Sequence, residues 1–470
     1  MTKNKLNFGA HWNAVSSKQW KQQIQFELNG ADYNETLIWN SPEGIKVKPF
    51  YHRDENITNY KVNSQATKFK ICQNIFVHDL EKSIYRANDS IARGAESLRF
   101  TIEDKSIDIE KLLNEINLEN ISVYFNLNFI SIDFVIKIND FANKKGTKIY
   151  CNFDPIGHLA QDGNWIETIE KNNFEAINNI SAIENLKLCG IISINAALFQ
   201  NSGANIVQQI AYAVGQALEY FNNIQNINTQ IVFQVAVGTN YFFEIAKLRA
   251  LRLVFKAVAT EFNHNLDCHI LAAPTKRNKT IYDYNTNLLR TTTECMSAIL
   301  SGADTIANLP YDNLYHKDNE FADRIARNQL LILKNESYFD KVNNQADGSY
   351  YIESLTNQLA EKALILLKEI ENSGGFLKKL KDGTIKRKIQ ESANLEQELF
   401  NSGKEILLGT NKYPNKNDFM KNDLELFPFV KIKSRKTLIS PIIENRLAEK
   451  MEQERLLAED KSQSQEIISE

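Results

Sequence analysis

A rhythm of short apolar runs constrains this chain more than any other feature. They are SLRFTIE (97–103), ISVYFNL (121–127), KIYCNFD (148–154), CGIISIN (189–195), IVFQVAVG (231–238), DCHILAAP (267–274) and ADTIANLP (303–310). Most are continuously apolar rather than alternating, the pattern of parallel strands covered on both faces. Helical patterns fill most of the gaps. In 241–260, Phe243, Ala246, Ala250, Leu253 and Ala257 recur at steps of three and four, which predicts one buried stripe. Over 319–334 the pairs Glu320/Arg324 and Asp323/Arg327 stand four apart, as on a solvated helix face. A weaker eighth run, YFDKVNN (338–344), would complete eight β/α units. The predicted class is therefore α/β, a (β/α)8 TIM barrel over 71–355, with a doubly wound sheet as the alternative.

The flanks read differently. Residues 1–70 are rich in Asn, Trp, Lys and Tyr and have too little apolar patterning for a core of their own. SSKQWKQQIQFELNG (16–30) predicts a helix with Ser near its N-cap and Gly30 past its end. WNSPEGIKVKPFY (39–51) predicts an extended arm turning at Pro42 and Gly44. Residues 356–443 are expected to be a helical C-terminal region, and 444–470 a charged helix fading into a disordered end.

Composition excludes several functions. Lys and Arg total 55 against 58 Asp and Glu, a net charge of −3, which argues against a nucleic-acid partner; KIKSRK (431–436) reads as solvated loop. Five scattered cysteines without a CxxC pair read as small core residues of a reducing compartment. Neither a signal peptide nor a long apolar span is evident, so a cytoplasmic protein without a membrane partner is expected. The seven histidines show no HxxxH or HExxH spacing, so no metal site is expected.

In a barrel the chemistry belongs at the C-terminal ends of the strands. NFDPIGHLAQDG (152–163) supplies Asp154, His158 and Asp162, either an acid–base couple or a routine Asp-Pro turn. INAALFQNSGA (194–204) supplies nothing that titrates near neutrality. In TKRNKT (275–280), Lys276, Arg277 and Lys279 could meet a phosphate, although a solvated loop is the simpler reading. YDYNTNLLRTTTECMSAILSGADTIANLPYD (282–312) places Arg290 and Glu294 four apart on a helix starting near Asn285, either a salt bridge or a substrate clamp. The residues alone give no catalytic constellation.

Three stretches carry a family likeness. NYFFEIAKLRALRLVF (240–255), YDYNTNLLRTTTECMSAILSGADTIANLP (282–310) and FADRIARNQLLILKNESYFDKVNNQADGSYYIESLT (321–356) resemble the barrel of methylmalonyl-CoA mutases, and WNSPEGIKVKPFY resembles the same family's lead-in. Within the family the chain looks like the small subunit of a heterodimer. The resemblance implies a holoenzyme that converts methylmalonyl-CoA to succinyl-CoA with adenosylcobalamin. It also implies what is missing here. Catalytic members read SGYHMQEAGA where this chain reads NAALFQNSGA (195–204), which puts Leu198 at the catalytic histidine. The family's TMYxxRPWTIRQY segment corresponds to QATKFKICQNIF (65–76), without its Tyr or Arg-Pro-Trp, and TIQND is replaced by CNFDPIGHLAQDG. The cobalt-ligating Asp-x-His-x-x-Gly motif does not occur. The likeness thus implies no catalytic residue in this chain, Arg290 and Glu294 as retained scaffold, and adenosylcobalamin held by a large-subunit partner. About residues 1–50, with Phe8, Trp12, Trp20 and Trp39, would wrap that partner. Two other readings are an active mutase barrel using a separate cobalamin-binding subunit and a CoA-thioester binding protein.

Overall fold

The computed structural model describes residues 14–55, 57–431 and 435–469, with side chains through 459. Eight parallel strands form a closed barrel: β1 (Lys70–Phe76), β2 (Ser97–Ile102), β3 (Ser122–Leu127), β4 (Lys148–Phe153), β5 (Gly190–Asn195), β6 (Ile231–Val237), β7 (Cys268–Pro274) and β8 (Thr305–Ile306). Each pairs with its sequence neighbour, and β8 also pairs with β1. Closure rules out the doubly wound alternative.

The count of eight is right, but one strand is misplaced in the sequence reading. The first strand is KICQNIF, whose Lys70, Gln73 and Asn74 hide its pattern, while Ile71 and Ile75 are buried under the surrounding helices. The run 338–344 is not a strand. It forms turns, with Tyr338 at φ +58°. Along β2, Leu98, Phe100 and Ile102 face the helices, so Arg99 and Thr101 face the lumen.

Helices follow every strand, and two of them depart from expectation. Helix Tyr241–Glu261 is not a single-stripe helix: Leu253 is only half-buried and Ala257 is exposed, whereas Glu244, Lys247, Arg249 and Arg252 are buried. The reason is a second covering layer. Helix Tyr350–Asn372 lies over it, and Arg249 donates to Glu353 at 2.7 Å. On helix Glu320–Asn335, Glu320 and Arg324 are exposed as expected, but Asp323 and Arg327 turn to other elements. Asp323 accepts from Arg86 at 2.7 Å, and buried Arg327 donates to Gln73 at 2.7 Å, closing the barrel beside β1.

In the arm, helix Ser17–Glu27 carries a capping box between Ser16 and Gln19, and Trp39–Asn40 pairs antiparallel with Lys46–Val47. Tyr33 and Ile45 are buried, but the helix buries no residue, and Trp20, Phe26 and Trp39 are 50%, 78% and 47% exposed. Phe8 and Trp12 lie outside the described residues, as do 432–434 of the basic KIKSRK run, whose Arg435 is bonded to Asp162.

The C-terminal region is helical only to Asn401. Residues 435–448 form an extended strap across the strand ends. Ile439 donates to the Gly163 carbonyl (3.1 Å), Ile442 to Ala160 (2.7 Å), Asn445 to Asn201 (3.1 Å) and Leu447 to Arg277 (2.9 Å). The charged tail then continues as helix Glu449–Ser469. Its buried Glu452 and Glu459 explain why it docks: they accept from Ile281 N–H (2.9 Å) and Tyr282 O–H (2.5 Å).

Candidate functional site

The mouth of the barrel is built from the ends of β5, β6 and β7. After β5 the chain enters the short helix Ala197–Asn201, with Leu198 0% exposed in the apolar core and the Phe199 ring against Tyr212 and Phe376. Gly203 (φ +93°) is required where helix Thr384–Asn401 crosses, because a Cβ there would collide with Ala393. Gln200 donates to Glu244 at 3.1 Å and accepts from Lys247 at 2.9 Å. Lys247 also reaches Gln209 (3.1 Å) and the Ala236 carbonyl (2.7 Å), and pairs with Glu244. Burial lowers the Lys247 pKa, against the raising effect of Glu244. A buried lysine of lowered pKa is a conceivable base, but here its ammonium is fully occupied by acceptors.

The loop after β7 holds a second buried pair. Lys279 donates to Glu294 at 2.8 and 3.0 Å, and Asn278 donates to the same carboxylate at 2.6 Å. Burial raises the Glu294 pKa and lowers that of Lys279, each opposed by the partner. Arg277 takes Glu396 and Asn445, and Asn201 links Thr275 (2.8 Å) to the strap's Glu444 (3.0 Å).

The residues singled out from sequence therefore have settled roles. TKRNKT is not a solvated loop: Arg277 and Lys279 are buried and spent on carboxylates, and only Lys276 remains half-exposed. Arg290 and Glu294 are on one helix, but Glu294 turns to Lys279. Arg290 reaches Thr280 (3.0 Å), Asn287 (2.8 Å) and the Leu408 carbonyl (2.6 Å). Asp154 caps helix Pro155–Asp162 and accepts from Gly157 N–H (2.8 Å), Asn195 N–H (2.7 Å) and Tyr220 O–H (2.7 Å). Burial raises its pKa against these hydrogen bonds. The His158 ring lies 3.0 Å from the Asn164 carbonyl, so no acid–base couple forms with Asp154.

Sequence reasoning missed the lumen. Its lower half is filled by stacked rings: Tyr124 on Tyr150 and Tyr150 on His269, each 4.7 Å between centroids. Tyr124 Oη lies 2.7 Å from His269 Nε2 and 2.8 Å from Thr305 Oγ1. Above them, Arg99 donates to Asn74 (2.8 Å) and Asn152 to Asn126 (2.8 Å). The inward register of β2, β3, β4 and β7 was the available signal. A cavity of about 220 Å³ opens on this layer. Among the described residues, no group of three or more His, Cys, Asp or Glu could hold a metal ion, and no helix is long and apolar enough to cross a membrane. The five cysteines are free, four of them buried.

Comparison with known proteins fits this architecture. The family model described as methylmalonyl-CoA mutase matches residues 102–459. The chain is 30% identical over 454 residues to the methylmalonyl-CoA mutase small subunit of Porphyromonas gingivalis, covering 88% of this chain and 72% of that one. It is 27% identical over 463 residues to the methylmalonyl-CoA mutase of Rhizobium meliloti, covering 85% and 64% respectively. Against the Escherichia coli methylmalonyl-CoA mutase it is 31% identical over 241 residues, 49% of this chain and 34% of that one. The chain thus spans less than two thirds of the latter two relatives' length. With a closed eight-stranded barrel and a family match running through most of the chain, this protein belongs to the methylmalonyl-CoA mutase family.

Proposed function

We propose that this chain is the small, non-catalytic subunit of a heterodimeric methylmalonyl-CoA mutase. It supports a large subunit that binds adenosylcobalamin and isomerises methylmalonyl-CoA to succinyl-CoA. One observation carries the reading. Alignment of Gly203-Ala204 with the family's SGYHMQEAGA puts the catalytic histidine at Leu198, and Leu198 is a sealed core residue. Leucine has no group to polarise a thioester carbonyl, and the neighbouring ionisable groups are consumed in the Glu244–Lys247 and Glu294–Lys279 pairs.

The residues present do not fit adenosylcobalamin. The stretch nearest to the cobalt-binding motif, Asp267-Cys268-His269-Ile270-Leu271-Ala272, ends in Ala rather than Gly. It lies on β7, with His269 inside the ring stack and 11% exposed, where no corrin can reach it. The lumen cavity of about 220 Å³ is also below the size of ordinary cofactor pockets. In this proposal the cofactor belongs to the partner.

Association is assigned to the arm, whose Trp20 and Phe26 are largely exposed aromatics in a polar segment. The test is turnover with adenosylcobalamin for this chain alone, the large subunit alone and the two together. Activity is expected only where the large subunit is present; turnover by this chain alone would refute the reading. Deleting residues 1–30, which spares buried Tyr33 and Ile45, should abolish co-purification of the two subunits. Unchanged association would remove the arm from the interface.

A further inference from the structure

Arg99, partly exposed on the lumen face of β2, is unusual among the inward-facing arginines. Buried arginines elsewhere have carboxylates beside them: Arg249 has Glu353 and Asp347, Arg252 has Asp304, Arg277 has Glu396 and Arg446 has Glu452. Arg327 and Arg290, which hydrogen-bond to neutral groups, still feel Asp323 and Glu294 respectively. Arg99 projects into the barrel from β2, and among the described residues its partners are the amides of Asn74 at 2.8 Å and Gln234 at 3.4 Å. Its remaining electrostatic neighbour is the Cys72 thiol, which burial pushes up to about 11 and so keeps neutral. A half-buried guanidinium without a counter-charge is left able to gain from an incoming anion.

The use is indicated by the cavity. The space of about 220 Å³ is lined toward the barrel floor by Cys72, Asn74 and Arg99 and toward the strand ends by Thr101, Phe76 and Lys276. Lys276 is half-exposed and only loosely tied to Glu444, at 3.9 Å. Two carboxylates also line the space, Asp318 and Asp323, but both are bonded to Arg86, at 3.1 and 2.7 Å. Of the three cations lining the space, Arg327 is tied to Gln73 and the Arg93 carbonyl, Lys276 holds only the long pair with Glu444, and Arg99 has amides alone.

We propose that this chamber is a binding site for a small free carboxylate, a mono- or dicarboxylate of a few carbons. Arg99 takes the carboxylate as its missing counter-ion, Thr101 offers a hydroxyl, and Lys276 neutralises a second charge at the rim. A planar guanidinium in a fixed fork can take a carboxylate through two parallel N–H···O bonds. The chamber is too small for a CoA thioester, so this is a site for the free acid. The inference does not rest on the mutase reading and survives its failure.

The experiment uses the full chain and sodium malonate as probe, at constant ionic strength against sodium chloride, with thermal denaturation and titration calorimetry as readouts. Saturable binding with a rise in melting temperature is expected. Arg99→Met should weaken malonate at least about tenfold, the worth of one charge-assisted pair. The same variant should melt no lower than the parent when malonate is absent, because a half-buried charge without a counter-ion has been removed. A merely structural arginine would behave oppositely, so an Arg99→Met chain that melts lower or fails to fold overturns the proposal. Lys276→Gln, at the rim, should keep the fold and weaken malonate by a few-fold; an unchanged affinity there places the anion elsewhere. Binding of inorganic phosphate without binding of malonate would overturn the carboxylate assignment.

Discussion

Replacing Leu198 by His tests whether the lost histidine marks a dead site or a site one residue from life. The side chain is 0% exposed, on a five-residue helix whose Phe199 is wedged against Tyr212 and Phe376. Removing a fully buried leucine forfeits about 1.5–3 kcal/mol of transfer free energy. An imidazole N–H placed there without an acceptor adds about 1–3 kcal/mol. Leu198→His should therefore destabilise the chain by about 3–5 kcal/mol, read as a lowered urea midpoint with unchanged slope. The same variant should show no mutase turnover on its own, since the cavity of the lumen is not lined by Leu198 and no substrate would meet the new ring. A variant within about 1 kcal/mol of the parent would mean that the site tolerates a polar ring and is not closed core. Turnover by the isolated variant would refute the non-catalytic reading itself.

The barrel was legible because buried parallel strands leave continuous apolar runs, and seven of the eight were visible. The eighth was lost at β1, where Lys70 and Asn74 on the inward register and Gln73 on the helix-facing register interrupt the pattern. Its false replacement at 338–344 came from composition without register. Ion pairs were misread for a related reason. Spacing on one helix suggested Arg290 with Glu294, and Asp323 with Arg327, but each chose a partner on another element: Glu294 took Lys279, and Asp323 took Arg86. A linear pattern shows which charges share a helix face, not which neighbouring element arrives to cover that face. The same limit explains TKRNKT. Nothing local announces that helix Thr384–Asn401 and the strap at 435–448 will close over Arg277 and Lys279.

Two further outcomes follow from the buried charges. Lys279→Met leaves the Glu294 carboxylate with Asn278 as its close partner and should cost about 3–5 kcal/mol, while adding Glu294→Leu should recover part of that loss. A double variant as unstable as the sum of both single losses would show that the two residues do not act as a pair. The second outcome concerns pH and His269. Burial lowers its pKa below the ordinary 6.5, with Asp304 opposing and Arg252 and Lys148 reinforcing. As pH falls through 6.5 the unfolded chain takes up the proton first, so the native state loses ground. The stability contributed by neutral His269 is thus complete above about 6.5 and declines as pH falls toward the folded-state pKa. Asp304 does not share this window: burial raises its pKa, but Arg252, His269 and the hydrogen bond from Ile270 N–H together hold it below the ordinary 3.8. A non-titrating His269→Gln variant should therefore melt lower overall, yet with a flatter dependence than the parent between about pH 7 and about pH 5. If the parent's slope persists unchanged in that variant, another group carries it, and the stacked Tyr124–Tyr150–His269 plug is not the acid-sensitive part of the barrel.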